Sequence, residues 1–231
     1  ERFAKYDEHL IFESMNEESD GTYDGDPNKE YYANLNQYNQ IFVDTVRGTG
    51  EKNTHRWLLV PGWNTNIEYT IGDYGFEMPT DEKCSAGESR MMVSVHYYDP
   101  WDYCGIEDLK TILWGEYGDN LIEVNGFPKM NKAKWGDESY LDDLFSRMQE
   151  KFVKNDIPVI IGEYGCIDKS SAYADFAGQI QGNRAYWDGY VAGKAASMGM
   201  IPVYWDNGFN GVYGFGLFDR NTYEQTQPEI I

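Results

Sequence analysis

Two glutamates in the sequence follow apolar segments closely enough to be partly shielded from water. Glu17 lies in the segment IFESMNEES, and Glu163 lies in the segment VIIGEYG. A pair of carboxyl groups can cleave a glycosidic bond when one donates a proton to the departing oxygen while the other, which is ionised, attacks the anomeric carbon. The two residues are therefore candidates for an acid/base and a nucleophile. The alternative interpretation is that both are ordinary loop carboxylates.

Polar or aromatic side chains follow each of five apolar segments in the same way. They are Asn16 and Glu17, Trp63 and Asn64, His96 and Tyr98, Glu163 and Tyr164, and Trp205, Asp206 and Asn207. The carboxyl ends of parallel strands lie on one face of an α/β sheet or barrel, where such folds place their active sites. We therefore expect these residues to share one rim, although each alone could be a helix cap or a loop hydrogen-bonding group.

The five apolar segments are predicted to be strands. They cover residues 9–12, 57–60, 91–95, 157–161 and 201–205. Nearly every position in them is apolar, which is typical of strands that are buried on both faces of a parallel sheet. The long connections between them agree with crossover helices. The sequence therefore predicts one α/β domain over residues 1–231, but periodicity does not distinguish an open sheet from a closed barrel.

Three of the connections have helical periodicity. Asp26 is the expected cap of the first helix, with Pro27 in its first turn. Its apolar stripe consists of Tyr31, Leu35, Phe42, Val43 and Val46. The second helix is marked by Leu141, Leu144, Phe145, Met148 and Phe152, and the third covers residues 184–198 and ends at Gly199.

The composition excludes several classes of partner. The formal net charge is −20, so nucleic acid and anionic membrane surfaces would be repelled. No apolar segment is long enough to be a transmembrane helix. Aromatic residues make up 16% of the chain, which fits either an aromatic-rich core or a cleft that stacks rings on sugars.

The cysteines and histidines do not suggest a metal site. The chain has three of each, and no CxxC pair, so a structural zinc site is not expected. One disulfide and one free thiol are possible, with Cys84–Cys104 the favoured pair. No cofactor and no metal are expected.

Four segments together resemble glycoside hydrolase family 5, and in particular its endo-β-1,4-glucanase and xyloglucanase-like subgroup. They are LIFESMNEE, VSVHYYDPW, PVIIGEYG and PVYWDNG, in that order along the chain. The resemblance extends from Phe3 to Pro228. It implies a (β/α)8 barrel and hydrolysis with retention of anomeric configuration, without a metal.

The resemblance also implies a role for individual residues. Glu17 matches the acid/base on the fourth barrel strand, and Glu163 matches the nucleophile on the seventh. Asn16 would hydrogen-bond the 2-hydroxyl of the sugar that is cleaved. His96 would bind the sugar, and Tyr98 would lie beside the nucleophile.

Aromatic and polar residues after the strands could bind further sugar rings. Trp205 matches the tryptophan that forms the floor of the cleavage subsite in the family. Trp63, Trp101 and Trp114 could line more distant subsites, with loop packing as the alternative. The remaining candidates for hydrogen bonds to sugar hydroxyls are Asp206 and Asn207.

The chain departs from the family pattern in two respects. Glu18 replaces the usual proline of an Asn-Glu-Pro triplet. The proline at this position stiffens the loop but does no chemistry. If Ile11 lies on the fourth strand, the first three βα units are not in this sequence, and we expect the C-terminal five units of the barrel. The chain is then an interior segment whose partner would be the missing N-terminal part, and alone it is expected to be unstable or to aggregate.

The sequence thus predicts a retaining endo-β-1,4-glycanase that acts on cellulose, mixed-linkage glucan or xyloglucan. An extracellular location follows from the size of such polymers. A carbohydrate-binding protein without turnover, or an inactive fragment on the same scaffold, is the main alternative. A metal-dependent barrel hydrolase is a weaker one, because the sequence lacks a cluster of His and Asp ligands.

Overall fold

Five strands form one sheet in the described part of the computed structural model, which covers residues 2–21 and 26–231. The strands are β1 (Phe12–Glu13), β2 (Leu58–Asn66), β3 (Met91–Tyr97), β4 (Val159–Tyr164) and β5 (Ile201–Tyr204), and they are adjacent in that order. β1 pairs with β2, and β2 with β3, in parallel. This arrangement confirms the predicted α/β fold class with five strands, and each of the first four strands is followed by at least one helix.

Six α-helices connect the strands of the described residues. They are α1 (Lys29–Gly48), α2 (Ile67–Ile71), α3 (Trp101–Cys104), α4 (Gly115–Asn125), α5 (Glu138–Lys151) and α6 (Ala177–Ser197). The three predicted helices correspond to α1, α5 and α6, although α6 begins earlier than predicted. The short helices α2, α3 and α4 lie in segments without clear periodicity. None of the helices in the described ranges is long and apolar enough to cross a lipid bilayer.

The chain divides into two compact units. The first consists of Glu1–His96 and Arg147–Ile161, and the second of Tyr97–Ser146 and Gly162–Ile231. The prediction of a single catalytic domain therefore stays a prediction.

In the first unit, helix α1 packs on strand β2. Its buried apolar residues are Tyr32, Leu35 and Val43, so the stripe includes Tyr32 rather than the predicted Tyr31. The cap is Asn28, whose side chain accepts a hydrogen bond from the Tyr31 amide at 3.0 Å. The prediction of Asp26 as cap was wrong, because the helix begins after Asn28, which alone has the reach to the third helical amide.

Strand β1 is much shorter than predicted and is not buried. Arg56, which is fully buried, donates hydrogen bonds to the backbone carbonyls of Phe3, Tyr6, Asp7 and Leu10. A guanidinium group has five donors in a fixed plane, so it can gather several carbonyls from an irregular segment. These carbonyls are then not available to a strand ladder, and regular pairing starts only at Phe12.

The second unit has an aromatic core. Trp114, Trp187 and Tyr97 are among its largest fully buried side chains. The Tyr97 and Trp187 rings stack with centroids 5.9 Å apart, and the Trp114 indole donates to the Gly136 carbonyl at 2.6 Å. The suggestion that Trp114 lines a sugar subsite was wrong, because its side chain has no exposed surface and its only polar atom is already bonded.

All three cysteines are free thiols, so the predicted Cys84–Cys104 disulfide was wrong. Cys104 and Cys166 are fully buried, whereas Cys84 is half-buried in a turn. Burial raises the pKa of both the Cys104 and the Cys166 thiol well above the usual value, because the thiolate loses its hydration. Both buried thiols therefore stay protonated at neutral pH.

Candidate active site

Glu17 lies in the loop after β1 and is held at both its backbone and its carboxyl group. Its amide donates to the Thr65 hydroxyl at 2.9 Å. Its Oε1 lies 2.7 Å from Nδ1 of His96, a residue of β3. The His96 side chain is only 6% exposed, while that of Glu17 is 39% exposed. A carboxyl group that is fixed by a buried ring yet open to solvent can exchange a proton with a bound molecule.

A bulge in β2 provides the hydroxyl that contacts Glu17. Pro61 pairs with Ser94, but the next pair is Asn66 with His96, so five steps on β2 span two steps on β3. Residues 62–65, which lie opposite a single residue of β3, are here called the β2 bulge, and they bring Thr65 to the Glu17 loop. Thr65 was not among the predicted site residues, because the register shift that brings its hydroxyl to Glu17 leaves no pattern in the sequence.

Glu163 lies near the end of β4 and is held by a tyrosine. The Tyr98 hydroxyl donates to Glu163 Oε2 at 2.9 Å. The Tyr98 ring is in edge contact with Trp101 and Phe215, with centroids 6.0 and 5.9 Å away. The ring is thus supported on two sides, and the direction of the hydroxyl is fixed. Phe215 has no sequence signal, because it is distant from the four family segments.

Trp205 directly follows β5, and its position is fixed by the neighbouring strand. Its amide donates to the Tyr164 carbonyl at 2.9 Å. The whole residue is 43% exposed, which leaves its indole available as a platform. An exposed indole face can stack on the apolar face of a pyranose ring.

The chain is similar to known proteins over most of its length. The family model described as cellulase, glycosyl hydrolase family 5, matches residues 1–211. This chain belongs to glycosyl hydrolase family 5. It is 49% identical over 234 residues to endoglucanase A of Paenibacillus barcinonensis, a match that covers 100% of this chain and 55% of that protein.

Solved structures agree with the family assignment. A family 5 xyloglucanase from Paenibacillus pabuli, in complex with ligand, superposes with a TM-score of 0.89 and 48% identity. The match covers 99% of this chain and 61% of that one. A Bacteroides ovatus GH5 xyloglucanase in complex with a XXXG heptasaccharide gives a TM-score of 0.83 and 30% identity, over 99% of this chain and 46% of that one. This chain therefore spans about half the length of the family 5 relatives it matches.

The other predicted sugar-binding residues have varied surroundings. Asn16 is exposed beside Glu17. Trp63 is half-buried, and its ring stacks on Tyr31 with centroids 5.1 Å apart and planes at 10°. Trp101 is 52% exposed. Two parallel, partly exposed rings form a rigid apolar surface, which suits a sugar-binding role for Trp63.

Asp206 and Asn207 organise the loop that follows Trp205. Asp206 accepts hydrogen bonds from the amides of Gly208 and Leu217, at 2.6 and 3.0 Å, and also pairs with Arg220. Burial alone would raise the Asp206 pKa, but these donors outweigh it, and the pKa is lowered. The Asn207 side-chain oxygen accepts from two further loop amides. Contacts of either residue with sugar hydroxyls stay a prediction.

Proposed function

We propose that the protein to which this chain belongs is a retaining endo-β-1,4-glycanase, with Glu163 as nucleophile and Glu17 as acid/base. The observation that carries the proposal is the pair of supported carboxyl groups: Tyr98 holds Glu163, and His96 holds Glu17. Family 5 membership supports the reaction class. Each glutamate is oriented by a ring group at the end of β3, as expected for residues that act on a bound substrate.

Glu163 is suited to attack because its carboxylate cannot rotate freely. The Tyr98 hydroxyl donates to Oε2 and so holds the carboxyl group of the nucleophile in one orientation. The fixed Oε2 also defines the plane in which the other carboxyl oxygen lies. In the first step, Glu163 forms a bond to the anomeric carbon while the bond to the departing oxygen breaks.

Glu17 is suited to proton transfer because its partner can adapt to both of its protonation states. An imidazole nitrogen can donate to an ionised carboxylate or accept from a neutral carboxylic acid. Glu17 gives its proton to the departing oxygen in the first step. In the second step it takes a proton from water, which then attacks the glycosyl-enzyme and releases Glu163.

Retention requires the two carboxyl groups to lie about 5–5.5 Å apart, whereas inversion would need about 6.5–9.5 Å. The stereochemical outcome therefore tests the mechanism. Proton NMR of the first products from a soluble β-glucan should show the β-anomer, followed by mutarotation. An initial α-anomer would contradict the double displacement.

The reaction needs no metal, so we expect EDTA to leave the rate unchanged.

The substrate is proposed to be a β-1,4-linked glucan, with xyloglucan as the first candidate. Two of the relatives reported above are xyloglucanases, and one of them was solved with a XXXG heptasaccharide. Trp205 would support the ring at the cleavage point, Trp63 would support a more distant ring, and Asn16 would bind the 2-hydroxyl. Initial rates on xyloglucan, cellulose and mixed-linkage glucan would rank the polymers.

We also propose an extracellular location, because such polymers do not enter cells.

The decisive experiment traps the intermediate. A 2-deoxy-2-fluoro cellobioside with a good leaving group should inactivate the full-length protein and add one glycosyl group. Mass spectrometry of the peptic digest should locate that group on the peptide that contains Glu163. Labelling of another carboxylate would overturn the nucleophile assignment. No labelling, together with no sugar release from soluble β-glucans, would favour a carbohydrate-binding protein without turnover.

A further inference from the structure

The β2 bulge is strained where it meets the Glu17 loop. Asn64 has φ 52°, Thr65 has φ 51°, and Glu17 itself has φ 52°. Left-handed backbone is unusual for residues other than glycine, and it is a strong outlier for a β-branched residue such as threonine. Such strain persists only where surrounding contacts impose it, and it is concentrated at functional sites.

The contacts that impose this conformation surround the whole β2 bulge. The Asn64 amide donates to the Glu18 carbonyl at 2.9 Å, and the Trp63 amide donates to the Tyr32 hydroxyl at 3.3 Å. A Cβ at Gly62 would lie 2.1 Å from the Thr70 hydroxyl, so only glycine permits this packing. The bulge is therefore a fixed support rather than a loose loop.

Thr65 is the point at which this support contacts Glu17. It is fully buried, and its hydroxyl oxygen accepts a hydrogen bond from the Glu17 amide at 2.9 Å. Together with the bond between Asn64 and Glu18, this contact ties two successive residues of the Glu17 loop to β2. Glycine or asparagine would adopt the Thr65 backbone with less strain, but neither has a hydroxyl at this position.

We propose that Thr65 is a positioning residue for Glu17. Its hydroxyl holds the Glu17 backbone in the left-handed conformation, and His96 then fixes the carboxyl group at the other end of the side chain. This inference rests on the proposed role of Glu17 as acid/base. Proton transfer to a departing oxygen requires close hydrogen-bond geometry, so a small displacement of the donor impairs it strongly.

The test compares Thr65→Val, which is nearly isosteric but has no hydroxyl, with Thr65→Ser, which keeps the hydroxyl. Two cellobiosides would be assayed on the full-length protein. A phenyl leaving group needs a proton, whereas a 2,4-dinitrophenyl group does not. For Thr65→Val we expect kcat/KM to fall about 100-fold with the phenyl substrate and less than about threefold with the dinitrophenyl substrate. Thr65→Ser should stay within about threefold of wild type on both.

Thr54→Val is the control. Thr54 lies before β2, whereas Thr65 lies near the end of that strand, and the Thr54 hydroxyl donates to the Glu51 carbonyl at 2.8 Å. This variant loses a threonine hydroxyl without touching the β2 bulge or Glu17, so it should leave the ratio of the two kcat/KM values unaltered. An equal loss on both substrates in Thr65→Val, or the same selective loss in Thr54→Val, would overturn the proposal.

These assays distinguish failure of the proposed function from failure of the positioning role of Thr65. If wild type cleaves neither cellobioside nor any β-glucan, the proposed function fails. If wild type is active and Thr65→Val shows no selective loss, only the positioning role fails. If Thr65→Val does not melt cooperatively, Thr65→Ala is compared with Thr65→Ser instead. The same selective loss on the phenyl substrate is expected for Thr65→Ala. An equal loss on both substrates would contradict the positioning role.

Discussion

At the residue scale, the supported carboxyl groups can be tested one partner at a time. Tyr98 and Glu163 share a hydrogen bond, while the Tyr98 ring has its own packing against Trp101 and Phe215. Removing only the hydroxyl therefore separates orientation of the carboxylate from folding of the loop. The same logic applies to Glu17, where the side-chain amide of glutamine keeps the shape but removes the acid.

For Tyr98→Phe we expect kcat to fall about 10- to 100-fold with little change in KM, because the lost bond acts on Glu163 rather than on substrate. The ring contacts remain, so the melting temperature should stay close to that of wild type. Steady-state kinetics on xyloglucan and a thermal melt provide the two measurements. A large increase in KM at unchanged kcat would indicate that Tyr98 binds the sugar instead.

For Glu17→Gln we expect a loss that depends on the leaving group. The rate on xyloglucan should fall on the order of 10²- to 10⁴-fold, the range of general acid catalysis. The kcat/KM for a dinitrophenyl cellobioside should change little, because that leaving group departs without a proton. Glu18→Gln, an exposed neighbour, is the control and should behave as wild type. Equal losses on both substrates would argue against the acid role.

For Glu163→Gln we expect a loss on the order of 10⁴-fold or more on every substrate, because no covalent intermediate can form. The loss should not depend on the leaving group, in contrast to Glu17→Gln. Activity near that of wild type in this variant would refute the nucleophile assignment.

At the element scale, helix α6 carries a buried acid that links stability to pH. Asp188 is fully buried; its Oδ2 accepts from the Cys166 thiol at 3.8 Å, and its Oδ1 has no hydrogen-bond partner among the described residues. Burial raises the Asp188 pKa from 3.8 to about 7, although the nearby Arg184 charge and the thiol oppose the shift. The folded protein therefore keeps the Asp188 proton at mildly acidic pH.

The sign of the pH effect follows from proton binding. Between pH 3.8 and about 7 the unfolded chain loses the Asp188 proton while the folded chain keeps it. The contribution of Asp188 to the free energy of unfolding therefore falls as pH rises through this window, by up to a few kcal/mol. Urea unfolding of wild type and Asp188→Asn at pH 4.5 and 7.5 would measure it. The asparagine variant should lose less stability between the two pH values, and parallel curves would contradict the assignment.

Helix α1 offers a simpler test at this scale. Asn28→Ala removes the cap on the Tyr31 amide and should cost about 1 kcal/mol of unfolding free energy. Asn34→Ala, at an exposed position within α1, is the control and should be neutral or slightly stabilising because alanine has the higher helix propensity. Equal destabilisation in both variants would show that Asn28 is not the cap.

At the scale of the whole molecule, strand β5 has an exposed apolar side. Ile201 and Val203 are 52% and 46% exposed, and residues two apart on a strand share one face. β5 is the last strand of the sheet. An exposed apolar edge strand promotes association with other chains.

The 231-residue polypeptide in isolation should therefore self-associate at micromolar concentrations. Ile201→Lys together with Val203→Lys should reduce the association, since charge on an edge opposes strand pairing. Sedimentation velocity would measure the size distribution of both forms. A monomeric wild-type polypeptide with a cooperative melt would contradict this expectation.

The sequence by itself determined the features that depend on local pattern. Strands β3 to β5 were predicted within about three residues at each end, because consecutive apolar residues mark buried strands. The start of β2 was predicted equally well, but the strand continues to Asn66, beyond its predicted end at residue 60. The candidates Glu17, His96, Tyr98 and Glu163 were identified because each lies near the carboxyl end of such a strand. The family assignment followed from short segments that keep their order along the chain.

Only the tertiary structure decided features that depend on distant partners. Arg56 removes the carbonyls that a longer β1 would need, and Asn28 rather than Asp26 reaches the first turn of α1. Trp114 is buried, and Cys84 and Cys104 are unpaired. Thr65 contacts Glu17 through a register shift in β2. In each case a contact between residues far apart in the sequence sets the outcome, and such contacts leave no local pattern.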